Sequence, residues 1–404
     1  MKKKILILSD FYLPGFTNGG APQMVRNIVD RFFDRYDFFV VTRNYDSRTD
    51  RRPYTGVVTD AWNQVGKAQV FYCSKKTLSS KTFSHLISEI APDLILLNSP
   101  FSTPTILFLF LKRKKRFCDL PVIIAACGSF SVGSLSIKRV KKWGFLKFAS
   151  LVGLYRGVIW KASFDLESRE IKKVMGPKAI VKVAPDLMPL AVRFGDIDRP
   201  VKQPGAVKFV YFSRIERKKN LHYFLDRLRG LKEGSISLEI IGPAEDKPYW
   251  EQCQCMIAEL PQNISVTESG GLPQDEALKR VAQNHFFVLP TMNENFGYAC
   301  IESLAVGCPN ITSDNTAWSD LEEKNAGWRV PLEDTDQWVE KIKLCLSMDQ
   351  NEYSRIAEAA ANFAREWLER SDTEAATDQL LRTALSDGET PITPVPGELT
   401  EHTV

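Results

Sequence analysis

The sequence predicts an α/β protein made of two parallel-sheet domains, and three observations predict it. The chain has 404 residues, its composition is that of a globular protein, and short β-rich runs alternate with helical stretches on both sides of a proline-containing linker. An ordinary domain holds about 150 residues, so this length suits two or three domains, of which the pattern delineates two. A hydrophobic fraction of 44% beside 25% charged residues supplies a sizeable core and excludes a largely disordered chain.

The first half of the chain alternates strands and helices in the rhythm of a parallel sheet. Its apolar start is predicted as the first strand, because Ser9 and Asp10 end the apolar run before it reaches the length of a signal-peptide core. No run reaches the roughly 20 apolar residues that cross a bilayer. The predicted elements are a strand at 5–8, a helix at 22–33 and strands at 38–42, 94–97 and 122–126.

A linker at 201–205, bounded by Pro200 and containing Pro204, separates this half from a second run of alternating elements. Strands are predicted there at 207–212, 237–241, 264–266 and 286–289, with helices at 221–231 and 275–282. The predicted organisation is therefore an N-terminal domain over 1–198, a second domain over 199–350, helices over 351–386 and a disordered Pro/Thr-rich tail over 387–404.

Cations cluster where the first strand of the second domain ends. Arg214 and Lys219 follow the strand at 207–212, and a helix begins just after them. Ligands in open α/β sheets bind beyond the carboxyl ends of strands, so an anion is expected at this point. Arginine would hold a diphosphate as a bidentate fork and lysine as a point charge. A solvated basic turn is the alternative that these residues leave open.

Two glutamates eight positions apart follow the strand at 286–289. Glu294 and Glu302 flank an Asn-Phe-Gly turn, and a helix is predicted to begin near 296–298. Free amides at a helix start can hold phosphate or sugar oxygens. The loop glutamate can accept bonds from sugar hydroxyls, and the helical glutamate from ribose hydroxyls. Two unrelated surface glutamates are the alternative.

Two glycines, Gly19 and Gly20, lie between the first strand and the first helix. Glycines at that place let the backbone approach a ligand closely and offer amides to a phosphate. The sequence has no G-x-G-x-x-G there, so it predicts no NAD site.

Together these features resemble the retaining glycosyltransferases of family 4, whose GT-B fold has two Rossmann-like, doubly wound parallel-sheet domains facing a cleft. The resemblance spans most of the chain and implies transfer of a sugar from a UDP- or GDP-linked donor to a hydroxyl of a glycan or glycolipid, in bacterial surface polysaccharide or lipopolysaccharide synthesis. The matching stretches are NGGAPQMV (18–25), FSRIERKKNL (212–221), LEIIGP (238–243), GGLPQDE (270–276) and the highly specific NENFGYACIESLAVGCPNI (293–311).

The resemblance also implies roles for single residues. Arg214, Lys219 and Glu294 are expected to be catalytic, with the two cations on the donor diphosphate and Glu294 on the sugar. A C-terminal helix around Trp367 is expected to cross back to the first domain, as it does in relatives. The expected donor-binding residues are Gly19, Gly20, Arg214, Lys219, Glu294, Asn295, Phe296, Gly297 and Glu302, the last holding the ribose.

No cofactor and no metal are expected. Cations and helix-start amides can stabilise the charge that develops on the departing nucleoside diphosphate. The nucleotide sugar is then a co-substrate. Asp196 and Asp198 resemble an Asp-x-Asp metal motif, but they lie beside Pro200 in the predicted linker.

One departure from the family concerns a loop of the first domain. Many relatives place a His or Arg before a glycine there, whereas this chain has Cys127 before Gly128. Gly128 and Ser129 are therefore expected to contribute only backbone or hydroxyl contacts to the sugar or acceptor. Two other functions stay open: a non-catalytic nucleotide-sugar-binding partner of another transferase, and a GT-B-fold nucleotide-sugar epimerase, for which few acid–base groups are available.

Charge is divided unevenly along the chain: residues 1–200 carry 33 Lys and Arg against 16 Asp and Glu, and the remainder carries 20 against 33. Basic segments lie at 112–116 and 137–148, and the second, which mixes cations with Trp and Phe, suits an anionic membrane surface or a lipid-linked pyrophosphate acceptor. A solvated helix that packs Trp143 and Phe145 inward is the alternative. The expected location is the cytoplasm, peripheral on the inner face of the plasma membrane, with reduced cysteines and no nucleic acid partner.

Overall fold

The structure, a computed structural model, describes residues 1–15, 19–46, 51–114, 116–136, 139–189, 199–369 and 371–386. It contains two sheets covered by helices, which confirms the two predicted parallel-sheet α/β domains. The predicted tail at 387–404 and the Asp-x-Asp sequence at 196–198 lie outside the described residues.

The first sheet has eight strands in the order β3-β4-β2-β1-β5-β6-β7-β8, all parallel except the β3–β4 pair. Central strands of a sheet covered on both faces are apolar throughout, and the fully buried LILLN and VIIA strands have that character. The elements are β1 Lys3–Leu8, α1 Gly20–Phe32, β2 Tyr36–Arg43, β3 Trp62–Val65, β4 Ala68–Cys73, α2 Ser80–Ile90, β5 Leu94–Asn98, α3 Thr103–Arg113, β6 Val122–Ala125, α4 Val132–Ser136, α5 Arg139–Leu151, β7 Ile159–Ala162, α6 Asp165–Met175 and β8 Ile180–Val183.

The second sheet has six parallel strands in the order β11-β10-β9-β12-β13-β14. The chain leaves β9 toward β10 on one side and returns to β12 on the other, so the loops after β9 and β12 meet at a topological switch point. The elements are β9 Ala206–Phe212, a 3₁₀ turn at Arg217–Lys219, α7 Leu221–Leu228, β10 Ser235–Ile241, α8 Lys247–Ala258, β11 Ile264–Gly270, α9 Gln274–Ala282, β12 Phe286–Leu289, α10 Tyr298–Ala305, β13 Asn310–Ser313, β14 Gly327–Val330, α11 Thr335–Ser347, α12 Gln350–Glu369 and α13 Ser371–Ser386.

An aromatic cluster joins the two domains. Phe164, which precedes α6, stacks on Phe296 with ring centroids 5.7 Å apart. Trp367 lies at this junction, 6.3 Å from Phe164 and 5.1 Å from Trp318. Such aromatic pairs contribute about 0.5–1.5 kcal/mol each beyond the area they bury.

The last helix, α13, packs on the first domain. Its Leu380 and Leu381 are buried in the same core cluster as residues of β1 and α1. Arg31 of α1 donates to Glu374 at 2.9 Å, and Arg35 pairs with Asp378 at 3.1 Å. The chain therefore returns to its first domain after completing the second.

The segment at 351–386, which was predicted to be helical, forms two helices, α12 and α13. All eight cysteines lie within the described ranges and are free thiols. Each helix in those ranges is too short or too polar to cross a lipid bilayer.

Candidate active site

One cleft between the two sheets collects most of the residues predicted to form the site. Its volume of about 520 Å³ is within the range of roughly 300–1,000 Å³ that holds small-molecule ligands. The start of α1 forms one wall, and the loops after β9 and β12 with the start of α10 form the other. All nine residues predicted to bind the donor line this cleft: Gly19, Gly20, Arg214, Lys219, Glu294, Asn295, Phe296, Gly297 and Glu302.

Arg214 is the cation that faces the first domain. Its guanidinium pairs with Glu216 at 3.1 Å and with Glu245 at 3.0 Å. Burial opposes the charged form, but these carboxylates outweigh it and raise the pKa of Arg214 above its ordinary value. A side chain on Gly19 would begin 3.3 Å from Arg214 Nε, so the arginine lies directly against the backbone of the glycine loop.

Lys219 ends the 3₁₀ turn after β9 and forms an ion pair with Glu294 from the loop after β12. Both groups are mostly buried. Burial alone would raise the pKa of Glu294, but Lys219, Lys218 and Arg214 outweigh it and hold that pKa below the ordinary value. Three cations thus surround one carboxylate, and an anionic ligand entering the cleft would find positive charge already assembled.

The start of α10 depends on Gly297. This residue caps the helix with φ of 74°, in the left-handed region, and a Cβ built on it would lie 2.9 Å from Glu294 Cγ and 3.2 Å from Trp318 Nε1. Only glycine fits that conformation and that space. Gly297 thus allows α10 to begin at Tyr298, and the first residues of the helix, whose amides have no partner within it, line the cleft.

Glu302 lies one turn inside α10 and is only 4% exposed. Burial raises its pKa to about 7, although a hydrogen bond from Gln274 Nε2 to Oε1 at 2.5 Å lowers it in part. Gln274 is the one side-chain donor to Glu302 among the described residues, so this buried carboxylate can accept further hydrogen bonds from ligand hydroxyls.

The loop after β6 enters the cleft differently from the prediction. Cys127 lines the cleft, whereas Gly128 and Ser129 are not among the lining residues. The Gly128 amide already donates to Glu167 at 2.6 Å, and a Cβ on Gly128 would lie 3.0 Å from the Cβ of Asn295. The structure therefore turns Gly128 toward the second domain's loop, while Cys127 lines the cleft and its thiol donates to Asn98 Oδ1 at 3.3 Å.

Several lining residues were not predicted from the sequence. They include Arg26, Asp186, Lys218, Gln274 and Tyr298. Lys218 adjoins Lys219, and Gln274 and Tyr298 lie in the matching stretches at 270–276 and 293–311, so the sequence could have indicated these three. Arg26 and Asp186 lie outside every matching stretch.

Within the described part of the chain, no three His, Cys, Asp or Glu side chains form a group suited to a metal ion. Asp196 and Asp198 lie outside that part.

Replacing Gly19 by alanine is expected to weaken nucleotide affinity about tenfold. Gly19 has φ of 67° and ψ of −146°, where only glycine is unstrained, and forcing another residue there costs about 1–3 kcal/mol. The new methyl would also press on Arg214. Isothermal titration calorimetry would measure the effect. Gly56→Ala is the matched control, since Gly56 has φ of 82° and an open surrounding; equal affinities in the two variants would contradict the prediction.

Comparison with known proteins gives the family of the second domain. Residues 195–363 match the family model described as glycosyl transferases group 1. This region carries β9, the cationic turn and both glutamates of the cleft. Residues 195–363 form a glycosyl transferases group 1 domain. The resemblance derived from the sequence is confirmed at the level of this group.

A curated relative is the amylovoran biosynthesis glycosyltransferase AmsK of Erwinia amylovora. It is 27% identical over 163 residues, which cover 38% of this chain and 39% of the relative. The alignment thus spans less than half of that relative's length.

Solved structures match over nearly the whole chain. Sucrose-phosphate synthase from Thermosynechococcus elongatus has a TM-score of 0.73 at 14% identity, covering 96% of this chain and 100% of its own. Anabaena HepE in complex with UDP-glucose has a TM-score of 0.65 at 17% identity, covering 94% and 98%. WaaG, a glycosyltransferase involved in lipopolysaccharide biosynthesis, has a TM-score of 0.66 at 11% identity, covering 95% and 99%. The chain has the GT-B fold.

Proposed function

We propose that the protein is a retaining glycosyltransferase that moves a sugar from a nucleoside diphosphate sugar to a hydroxyl of a glycan or glycolipid, without needing a metal ion. The observation that carries the proposal is the placement of Arg214, Lys219, Glu294 and Glu302 along one cleft of a group 1 domain.

The arrangement of charge accounts for the bond that breaks. When the bond from the sugar's anomeric carbon to the phosphate oxygen opens, negative charge develops on the nucleoside diphosphate. Arg214, Lys219 and the first amides of α10 face that charge in a partly buried cleft, where electrostatic stabilisation is strongest.

The same cleft accounts for the bond that forms. The acceptor hydroxyl oxygen attacks the anomeric carbon from the face that the phosphate leaves, and its proton passes to the departing phosphate oxygen. This route retains the anomeric configuration and requires no nucleophile from the protein. Glu294, released from Lys219 once the diphosphate takes the lysine, accepts hydrogen bonds from the sugar hydroxyls.

Two similar proteins support choices of donor and pathway. HepE has been solved in complex with UDP-glucose, so UDP-sugars are the first donors to test. The name of AmsK refers to amylovoran biosynthesis, so a growing polysaccharide is the first acceptor to test.

The deciding experiment is thermal stabilisation by a panel of UDP, GDP, ADP and their sugar conjugates. A ligand at 100 times its dissociation constant adds about 2.7 kcal/mol of stability, so one nucleotide family should raise the melting temperature. Transfer is then followed by release of the nucleoside diphosphate and by NMR of the product's anomeric proton. Binding without transfer to any acceptor would favour a non-catalytic partner, and inversion at carbon 2 of the donor sugar would favour an epimerase.

Donor affinity is expected to fall as the pH drops below about 7. Glu302 has a pKa of about 7 in the ligand-free protein, and ribose hydroxyls bind its ionised form. Between pH 8 and pH 6 the ionised fraction falls about tenfold, and the apparent affinity falls with it. Calorimetry with UDP-glucose measures this cleanly, because its doubly esterified diphosphate does not titrate in that range. An affinity that is unchanged between the two pH values would contradict the role of Glu302.

We also propose that the first domain rests on an anionic membrane surface through α5. The helix exposes Val140, Trp143 and Leu151, at 85%, 41% and 86% exposure. Phe145, by contrast, packs on Phe101 with ring centroids 6.0 Å apart. Of Trp143 and Phe145, only Phe145 thus turns inward. The outer side of α5 is left with an apolar and basic face that suits lipid headgroups.

Reversing two charges on this face, in the variant Arg139→Glu/Lys147→Glu, is expected to lower binding to phosphatidylglycerol vesicles at least tenfold. Each basic residue near an anionic surface contributes about 1 kcal/mol. Vesicle co-sedimentation at physiological salt measures it. The control is Lys172→Glu/Lys173→Glu on α6, which changes net charge equally at another exposed place. Equal losses in both variants would show that net charge alone governs binding.

A further inference from the structure

A buried ion pair lies at the cleft wall beneath Cys127. Asp186, in the segment after β8, lines the cleft although it is only 5% exposed, and its Oδ1 accepts from Lys161 Nζ at 2.5 Å. Lys161 is itself 2% exposed on β7. A buried ion pair adds little net stability over an apolar pair of the same shape. The placement of this one at a ligand-sized cleft therefore suggests a use beyond folding.

Side-chain contacts connect Asp186 to the loop that carries Glu294. Asp186 Oδ1 lies 3.1 Å from the hydroxyl of Ser163, and that hydroxyl lies 3.2 Å from the amide of Asn295. With its nitrogen turned to Glu167, at 3.2 Å from each carboxylate oxygen, the Asn295 amide instead places its oxygen 3.2 Å from the same hydroxyl. Since Asn295 adjoins Glu294 and Asp186 lines the same cleft, these contacts connect Asp186 to the loop that the proposed function assigns to the donor sugar.

Asp186 has one carboxylate oxygen available as a hydrogen-bond acceptor. Among the described residues, Lys161 and Ser163 both donate to Oδ1, so Oδ2 can accept a hydrogen bond from a ligand. A carboxylate accepts hydrogen bonds and donates none. The wall it forms thus suits sugar hydroxyls and disfavours a second carboxylate.

We propose that Asp186 is a specificity-determining residue that accepts hydrogen bonds from hydroxyls of a neutral donor sugar and discriminates against uronic acid donors. The inference rests on the proposed function, since it assigns a sugar contact in the same cleft. Lys161 acts as a positioning residue, because it fixes the carboxylate with one oxygen turned to the ligand.

The test measures binding of three ligands, UDP, UDP-glucose and UDP-glucuronate, to the wild type, to Asp186→Asn and to Lys161→Met/Asp186→Asn. If the thermal-stabilisation panel selects guanosine nucleotides, the three ligands are instead GDP, GDP-mannose and GDP-mannuronate. We expect affinity for the nucleoside diphosphate to stay within about twofold, because it has no sugar. Affinity for the neutral sugar nucleotide should fall about tenfold or more, as on loss of a hydrogen bond to a charged group. Affinity for the uronic acid nucleotide should fall less, because the amide of the Asp186→Asn variant can donate a hydrogen bond to the carboxylate of that sugar.

Glu239→Gln is the matched control. Glu239 is another mostly buried carboxylate that pairs with a cation and a serine, Arg280 and Ser269, and it does not line the cleft. It should leave all three affinities unchanged.

The outcomes separate the two proposals. A wild type that binds neither the nucleoside diphosphates nor their sugar conjugates would contradict the proposed function. The assignment of Asp186 alone would be overturned if the wild type binds these ligands but Asp186→Asn lowers the affinities for diphosphate and sugar nucleotide equally. It would also be overturned if Asp186→Asn lowers neither affinity. Failure of both variants to fold, measured by circular dichroism, would make Asp186 a structural residue and overturn it as well.

Discussion

Replacing Lys219 by methionine is expected to lower kcat/KM for sugar transfer about 10²–10³-fold, the loss typical of removing one group that stabilises developing negative charge. Lys219 is mostly buried and pairs with Glu294, so its charge acts in a poorly solvated place. Methionine keeps the length and the apolar stem. Steady-state kinetics with the nucleotide sugar selected by the binding panel would measure the effect.

The loss should be larger in kcat than in KM, because the charge that Lys219 meets grows as the phosphate departs. Arg217→Met is the control: it removes a cation from the same turn, where the guanidinium lies over the ring of Tyr249 outside the cleft. It should change kcat/KM less than threefold. A Lys219→Met enzyme with near wild-type turnover would remove this lysine from the mechanism.

Replacing Glu302 by glutamine is expected to stabilise the ligand-free protein at pH 8 while abolishing its stabilisation by nucleotides. Burial raises the pKa of Glu302 from 4.5 to about 7, so the folded state holds its proton more tightly than the unfolded state. Stability therefore falls as the pH rises from about 4.5 through 7, and at pH 8 the ionised carboxylate costs about 3 kcal/mol. Glutamine removes that cost, because it carries no charge at any of these pH values.

Denaturant unfolding at pH 5 and pH 8, with and without the nucleotide, would measure both effects. The stability gain should appear at pH 8 and shrink at pH 5, where Glu302 is mostly protonated. Glu170→Gln on α6 is the control, since burial and the nearby Glu167 also raise the pKa of Glu170 to about 7, yet it does not line the cleft. It should gain less, because it is more exposed to solvent, and it should keep the nucleotide effect. A Glu302→Gln protein that is still stabilised by nucleotide would contradict the ribose role.

Both predictions describe one property of the cleft. The cleft carries one charge at a cost in stability, because burial raises the pKa of Glu302 and the carboxylate is ionised above pH 7. It also gathers three cations around Glu294, whose pKa they lower. A nucleotide sugar would engage both groups, through its ribose hydroxyls on Glu302 and its diphosphate charge on the cations. Sites that bind charged ligands commonly reduce the stability of the free protein in this way.

The amino-acid sequence by itself determined the fold class and most of the cleft wall that the second domain contributes. Alternating apolar strands and amphipathic helices are local patterns, and parallel strands place their carboxyl ends at one edge of a sheet. Arg214, Lys219 and Glu294 lie in the loops that follow such strand ends, and Glu302 lies in the first turns of the next helix, so their meeting in one cleft could be predicted.

Only the tertiary structure decided which residues of the first domain reach that cleft. Cys127 and Gly128 are neighbours in the chain, but only Cys127 lines the cleft. Gly128 donates its amide to Glu167 and faces Asn295. Asp186 enters through contacts with Lys161 and Ser163, each more than 20 positions away. Local patterns carry information about strands and their ends, whereas these placements arise from packing between elements that are distant in the chain. That is why the sequence could predict that these motifs meet in one cleft but not which residues of the first domain line it with them.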